Sequence, residues 1–87
     1  MDPPLTQDEL RQRLAARIKA LRAAEGIGQE PFADRAGIHR VQLSKIETAT
    51  VTPGSFILYR IAVAFGLTLS ELVDGIDAPA KRTRRAK

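Results

Sequence analysis

Leu10, Leu14, Ile18 and Leu21 are separated by four, four and three residues, a rhythm that an α-helix turns into one continuous apolar stripe. Arg11, Arg13, Arg17, Lys19 and Arg22 fall off that stripe or beside it. Thr6 followed by Glu9 forms a capping box that starts the helix near Gln7. Gly26, which tolerates left-handed backbone angles, stops it. The pattern then recurs in shorter pieces. Phe32, Ala33 and Ala36 give residues 29–36 one apolar face, with Pro31 in the first turn, where its missing N–H has no intrahelical partner. Leu43 and Ile46 do the same for residues 39–47 and leave Arg40, Gln42, Ser44 and Lys45 facing out. Gly37 opens a three-residue turn between the two segments, which makes a helix-turn-helix pattern. A loop over 48–54 ends in Pro53-Gly54, Ser55 caps a fourth helix through Phe65, and Gly66 stops it. Thr68 and Glu71 form a second capping box, opening a short fifth helix to about Asp74. No alternating strand pattern and no internal repeat occur. The sequence predicts an all-α fold of five helices: an arm over 1–6, a domain over 7–75 with its motif at about 29–47, and a basic tail over 76–87.

Helices this short share a single core, and 87 residues without cysteine must build it without disulfides. The missing thiols exclude thiolate zinc sites and cysteine nucleophiles and fit a reducing cytosol. His39 is the single histidine, too few for a histidine metal site, so neither metal nor cofactor is expected. With 44% hydrophobic and 28% charged residues, the composition is that of a soluble folded domain rather than a disordered chain. Met-Asp-Pro-Pro is acidic and proline-rich where a signal peptide is basic and then apolar. The most apolar stretch, 56–69, is interrupted by Arg60 and too short to span a bilayer. The net charge of +4 is unevenly placed: residues 81–87 hold five of the fourteen Lys and Arg and no acid, which leaves nine bases against ten acids over 1–80. The basic balance therefore belongs to the tail, which suits a polyanionic partner and equally a solubilising end.

The run AGIHRVQLSKIE, preceded by GIGQEPFADR and followed by a proline and IAVAFGLTLSEL, resembles the lambda Cro-type repressors of the xenobiotic-response-element (XRE) helix-turn-helix family. The likeness covers about residues 14–73. It implies a phage-repressor-like domain of bacterial or phage origin that binds double-stranded DNA, cytoplasmic and nucleoid-associated when bound. In such proteins the second helix of the motif enters the major groove and its N-terminal residues touch base edges. Carried onto this chain, the reading positions are Arg40, Val41, Ser44 and Lys45, with His39 and Gln42 at the margin. Arg40 has the fork that matches guanine O6 and N7, Lys45 reaches the same acceptors, and Val41 suits a thymine methyl. On charge alone, Arg40 and Lys45 read equally as solvated side chains on an exposed face. The resemblance also implies a phosphate contact from Gln29 at a helix N-terminus. Arg17 reaches phosphate from helix one or pairs with a nearby carboxylate. Arg22 and Glu47 take the places of an internal ion pair. This chain departs from the pattern in three places. His39 stands where a serine or threonine caps the recognition helix, and histidine is a poorer cap. Ala49, Thr50 and Val51 stand in a loop that usually carries a glycine and basic residues, which lowers phosphate attraction and leaves the tail to compensate. Gly28 and Pro31 stand where a serine cap and a glutamate are common.

The fourth helix carries two apolar stripes. Leu58, Ile61, Ala62 and Phe65 make a core stripe; Phe56, Tyr59 and Val63 make another, with Ile57 and Ala64 narrowing the polar gap. An apolar helix face left exposed marks an interface. With Leu69, Leu72, Val73 and Ile76 close in sequence, the pattern predicts a two-fold homodimer that spaces two recognition helices one DNA turn apart on a palindrome. In the competing arrangement, Phe56 and Tyr59 pack under the loop and helix one of a monomer. The leading function is a sequence-specific transcriptional regulator, a repressor or autoregulator. The alternative is a protein-binding adaptor or antitoxin component, with residues 75–87 as the segment free to take a protein partner. An enzyme is not expected, because no paired carboxylates, activated nucleophile or glycine-rich phosphate loop after a strand is present.

Overall fold

A computed structural model describes residues 4–78. All its regular elements are helices: α1 Gln7–Glu25, α2 Gln29–Ala36, α3 Arg40–Glu47, α4 Ser55–Ala64 and α5 Leu69–Leu72. Both capping boxes form. The Thr6 hydroxyl accepts from the Glu9 N–H at 3.1 Å while the Glu9 carboxylate accepts from the Thr6 N–H at 2.9 Å. Thr68 and Glu71 repeat this at α5. Boundaries differ from the sequence reading by a residue or two: α3 starts at Arg40 with His39 as its cap, and α4 ends at Ala64 with Phe65 as its cap. Ser55 is the first residue of α4 rather than its cap; Gly54 holds the cap position and no side chain bonds there. The fifth helix is a single turn ending at Leu72 rather than near Asp74, because Gly75 takes a left-handed φ of 78° and the Ile76 N–H turns back to the Val73 carbonyl.

The helix ends share one device. After α2, the Gly37 N–H bonds to the Asp34 carbonyl and the Ile38 N–H reaches back to Ala33, the paired bonds that close a helix when one residue adopts left-handed angles. Gly26-Ile27 and Gly66-Leu67 close α1 and α4 in the same way, and Ile27, Ile38 and Leu67 each pack on the core. At the end of α3 the left-handed residue is Ala49, with φ 61°.

The core gathers residues from every helix: Ile18, Phe32, Ala33, Leu43, Ile46, Ile61, Ala62 and Leu72 are all essentially sealed from solvent. Phe32 stacks on Phe65 with ring centroids 4.3 Å apart. α3 is packed between α1 and α2, and α4 packs on α2 and α5. Leu72 corrects the sequence reading. Expected on an intersubunit surface, it is wholly buried in its own domain, since the single turn of α5 points its apolar residue back under α4.

Arginines finish the fold by occupying carbonyls that helix ends and turns leave over. Arg17 donates to Leu72 O and Glu71 O, both at 3.0 Å. Arg13 holds Ile76 O at 2.9 Å and Ala78 O at 2.6 Å. Arg35 reaches Ala64 O and Arg60 reaches Ala36 O. Arg17 therefore pairs with no carboxylate among the described residues. It ties α5 to α1, and its guanidinium is spent on backbone. The packed chain continues past 75, because Ile76 lies against the core and Arg13 grips the carbonyls beyond it.

Candidate nucleic-acid interface

The sequence gives α3 an inner face of Leu43 and Ile46, and the structure buries both. The turn at Gly37 aims the helix. A side chain there would be strained by the φ of 71° and would collide with the Arg60 guanidinium that lies across the turn. Ala33 and Ala36, both buried, let α2 lie close to its neighbours. With one face locked, the other is presented to solvent: Arg40, Val41 and Lys45 are exposed and Ser44 is half-buried beside them. Val41 is 45% exposed, an apolar side chain among polar ones. His39 precedes the helix as its cap, but Nδ1 accepts from the Val41 N–H at 3.4 Å, a long bond consistent with histidine as a poor cap. Along one flank of α3 an open groove of about 600 Å³ runs between His39, Val41, Gln42 and Lys45 and the loop segment Thr52–Pro53.

Among the nine Lys and Arg of the described residues, Arg11, Arg13, Arg17, Arg22, Arg35 and Arg60 hold bonds within the domain. Lys19 acts on Glu47 through its charge alone, and the side chains of Arg40 and Lys45 make no bond with the described residues. The near-neutral charge over 1–80 thus hides a sorting: most guanidiniums are consumed by structure, and two free cations remain on the exposed face of α3.

Glu47 closes that helix from inside. It is 2% exposed, and both its oxygens are taken by the fork of Arg22, Nε to Oε2 and Nη2 to Oε1, each at 2.8 Å. Arg22 spends Nη1 on the Ile27 carbonyl. Burial pushes the Glu47 carboxyl up, but the hydrogen bonds from Arg22 and Gln29 and the charges of Arg22 and Lys19 outweigh it and hold it below its usual range. The hydrogen bond to Glu47 raises Arg22 further. The ion pair is thus internal, and Glu47 sets no repulsive charge on the exposed face. Gln29 differs from the sequence reading: its side-chain Nε2 donates to Glu47 Oε1 at 3.0 Å, so the amide expected on a phosphate is turned inward. Its helix start is open, because Gly28 offers no capping side chain.

The surface expected between two copies divides into separate parts. Phe56, Tyr59 and Val63 are 62%, 52% and 55% exposed on the outer face of α4. Phe56 and Tyr59 stack at 6.4 Å, with Arg60 over the Phe56 ring. Val73 and Ile76 instead pack partly on the core and line an apolar groove with Leu10, Leu14 and Leu58. Leu69 is half-buried in the short turn of α5. No helix among the described residues is long and apolar enough to cross a membrane.

Comparison with known proteins agrees with the fold. A family model described as helix-turn-helix, HTH_3, matches residues 18–72. An uncharacterized HTH-type transcriptional regulator of Sinorhizobium fredii, y4dJ, is 30% identical over 76 residues, covering 87% of this chain and 99% of the relative. In fold, the chain is similar to an HTH_3 family transcriptional regulator from Vibrio cholerae, with a TM-score of 0.74 at 24% identity over 78% of this chain. The match spans only 38% of that longer protein. A hypothetical transcription factor from Neisseria, NHTF, aligns over 95% of this chain and 91% of its own, with a TM-score of 0.71 at 22% identity. With the match running from α1 through α5, the chain belongs to the HTH_3 helix-turn-helix family of DNA-binding transcriptional regulators.

Proposed function

We propose that this regulator seats α3 in the major groove and reads bases with Arg40, Val41, Ser44 and Lys45, His39 and Gln42 lying at the margin. The observation that carries the reading is the pair of free cations, Arg40 and Lys45, flanking an exposed Val41 on a helix whose opposite face is locked into the core. The exposed valine offers an apolar contact for a thymine methyl between the two cations. Phosphates are met by the uncapped N–H groups of Gln29 and Glu30 at the start of α2, where the helix dipole favours an anion. The basic residues of 81–87, outside the described part, add sequence-independent attraction. The molecule acts as a homodimer on a palindromic operator, as a repressor or autoregulator, with the exposed Phe56–Tyr59–Val63 face as its pairing surface. That same face supports a second reading, an adaptor or antitoxin component that engages another protein there or through 75–87.

Selection of bound duplexes from a random pool at near-physiological salt, with the intact chain and with Arg40→Ala, tests the first reading. A palindrome is expected, with its preference relaxed in Arg40→Ala at the position facing residue 40, because a bidentate base pairing is worth about 1–3 kcal/mol. Recovery without any sequence preference from either protein contradicts base reading and leaves the adaptor.

A further inference from the structure

The arginines of α1 are not equally committed. Arg13, Arg17 and Arg22 each make two or more bonds of 2.6–3.0 Å. Arg11 makes only long contacts, from Nη1 to Thr52 Oγ1 at 3.3 Å and from Nη2 to Asp8 at 3.5 Å. Its buried Nε has no hydrogen-bond partner among the described residues. The two terminal nitrogens, held only by these long contacts, have capacity to spare, and their position says where. Thr52 and Pro53 form a rim shared by two grooves, one running along α3 past Val41 and Lys45, the other apolar and containing Arg11 itself. One threonine separates Arg11 from the groove of the base-reading side chains. The loop over 48–54 that borders this groove contains no lysine or arginine.

We propose that Arg11 is a DNA-phosphate contact beside the recognition helix, a cation delivered by α1 to a loop that has none of its own. The proposal rests on the DNA-binding reading above and adds a contact to it. A phosphate oxygen carries charge and accepts strongly, while Thr52 offers Arg11 a neutral hydroxyl and Asp8 an exposed carboxylate at long range, so the guanidinium gains by exchanging them. The loop is not released by that exchange, because Gln7 Nε2 still donates to the Thr52 hydroxyl at 3.0 Å. A contact to the backbone carries no sequence information, so it strengthens operator and random duplex alike.

Titration of fluorescent duplexes against salt tests this with the full chain. For Arg11→Gln, affinity is expected to fall by the same factor on the selected and on a scrambled duplex. The slope of log K against log salt should become shallower by about 0.9 for each phosphate that the variant leaves unneutralised. Arg11→Lys is expected to keep most of the slope. Thr52→Val, which removes both hydroxyl bonds and keeps the cation, is expected to leave it unchanged. An unaltered slope in Arg11→Gln overturns the proposal. So does a Thr52→Val protein that loses as much as Arg11→Gln, since Arg11 would then act by bracing the loop. Loss of base preference in Arg40→Ala beside an unaltered Arg11→Gln defeats this contact alone, whereas a parent chain that binds no duplex defeats the DNA-binding reading with it.

Discussion

Glu47 is a carboxylate almost closed off from water, and its tolerance there depends on Arg22. Replacing Arg22 by methionine keeps the bulk of the side chain but strands the charge with one amide partner, Gln29. Leaving a buried charge unpaired costs about 3–5 kcal/mol, so thermal unfolding of Arg22→Met should show a loss of that order at neutral pH. The sign of the pH dependence follows from Glu47. In the parent its carboxyl is held low, so the stabilisation is present above the unfolded carboxyl range and is lost as pH falls through the folded value. In Arg22→Met burial acts nearly alone and raises the carboxyl, so falling pH favours the folded variant relative to the unfolded one. The gap between the two proteins should therefore narrow below about pH 4–5; a constant gap down to pH 3 would contradict this account. The pair itself is accessible to the sequence only through resemblance, because no periodicity links residues 22 and 47. Two inward uses of polar residues are not accessible at all. Gln29 turns to Glu47, and Arg17 caps the carbonyls of α5, and an orphan carbonyl carries no mark in the sequence to say which arginine will find it.

At the scale of elements, punctuation carries most of the information. Capping boxes and left-handed glycines fix the ends of α1, α2 and α5's start because each has a side-chain or conformational requirement that few residues meet. The end of α3 lacks such a mark. Ala49, a good helix former, holds left-handed angles there, with its N–H on Ile46 and that of Thr50 on Lys45. A residue with a Cβ is destabilised by about 1–2 kcal/mol at those angles, part of which glycine gives back through its freer unfolded chain. Ala49→Gly should therefore raise stability by about 1 kcal/mol, or roughly 4–8 °C in Tm for a domain of this size. An unchanged or lowered Tm in a calorimetric scan would show that the strain is relieved elsewhere in the loop. The start of α4 departs from the sequence reading by one residue for the complementary reason: Ser55 is a good cap by type, but Gly54 occupies the extended position before the first helical turn.

For the whole molecule, the proposed pairing of two domains can be weighed by area. A stable protein dimer buries about 800 Å² per partner. Phe56, Tyr59 and Val63 are each a little more than half exposed; with aromatic side chains of about 150–250 Å², they offer roughly 300 Å² together. Val73 and Ile76, expected to extend the patch, are partly used by their own core and lie with Leu58 on another side of α4. Phe56, Tyr59 and Val63 therefore supply well under half of such an interface, and we propose that a two-fold contact through the outer face of α4 is weak between free chains and couples chains that DNA places side by side. The intact protein is expected to sediment as a monomer at low micromolar concentration and to load two copies cooperatively on its selected palindrome. In Val63→Glu, a symmetric contact would set two carboxylates face to face where two apolar groups had met. The variant should bind an isolated half-site as the parent does and lose cooperativity on the full site. Full cooperativity retained by Val63→Glu would move the contact to the groove of Leu10, Leu58, Val73 and Ile76, which meets the groove along α3 at Thr52 and Pro53.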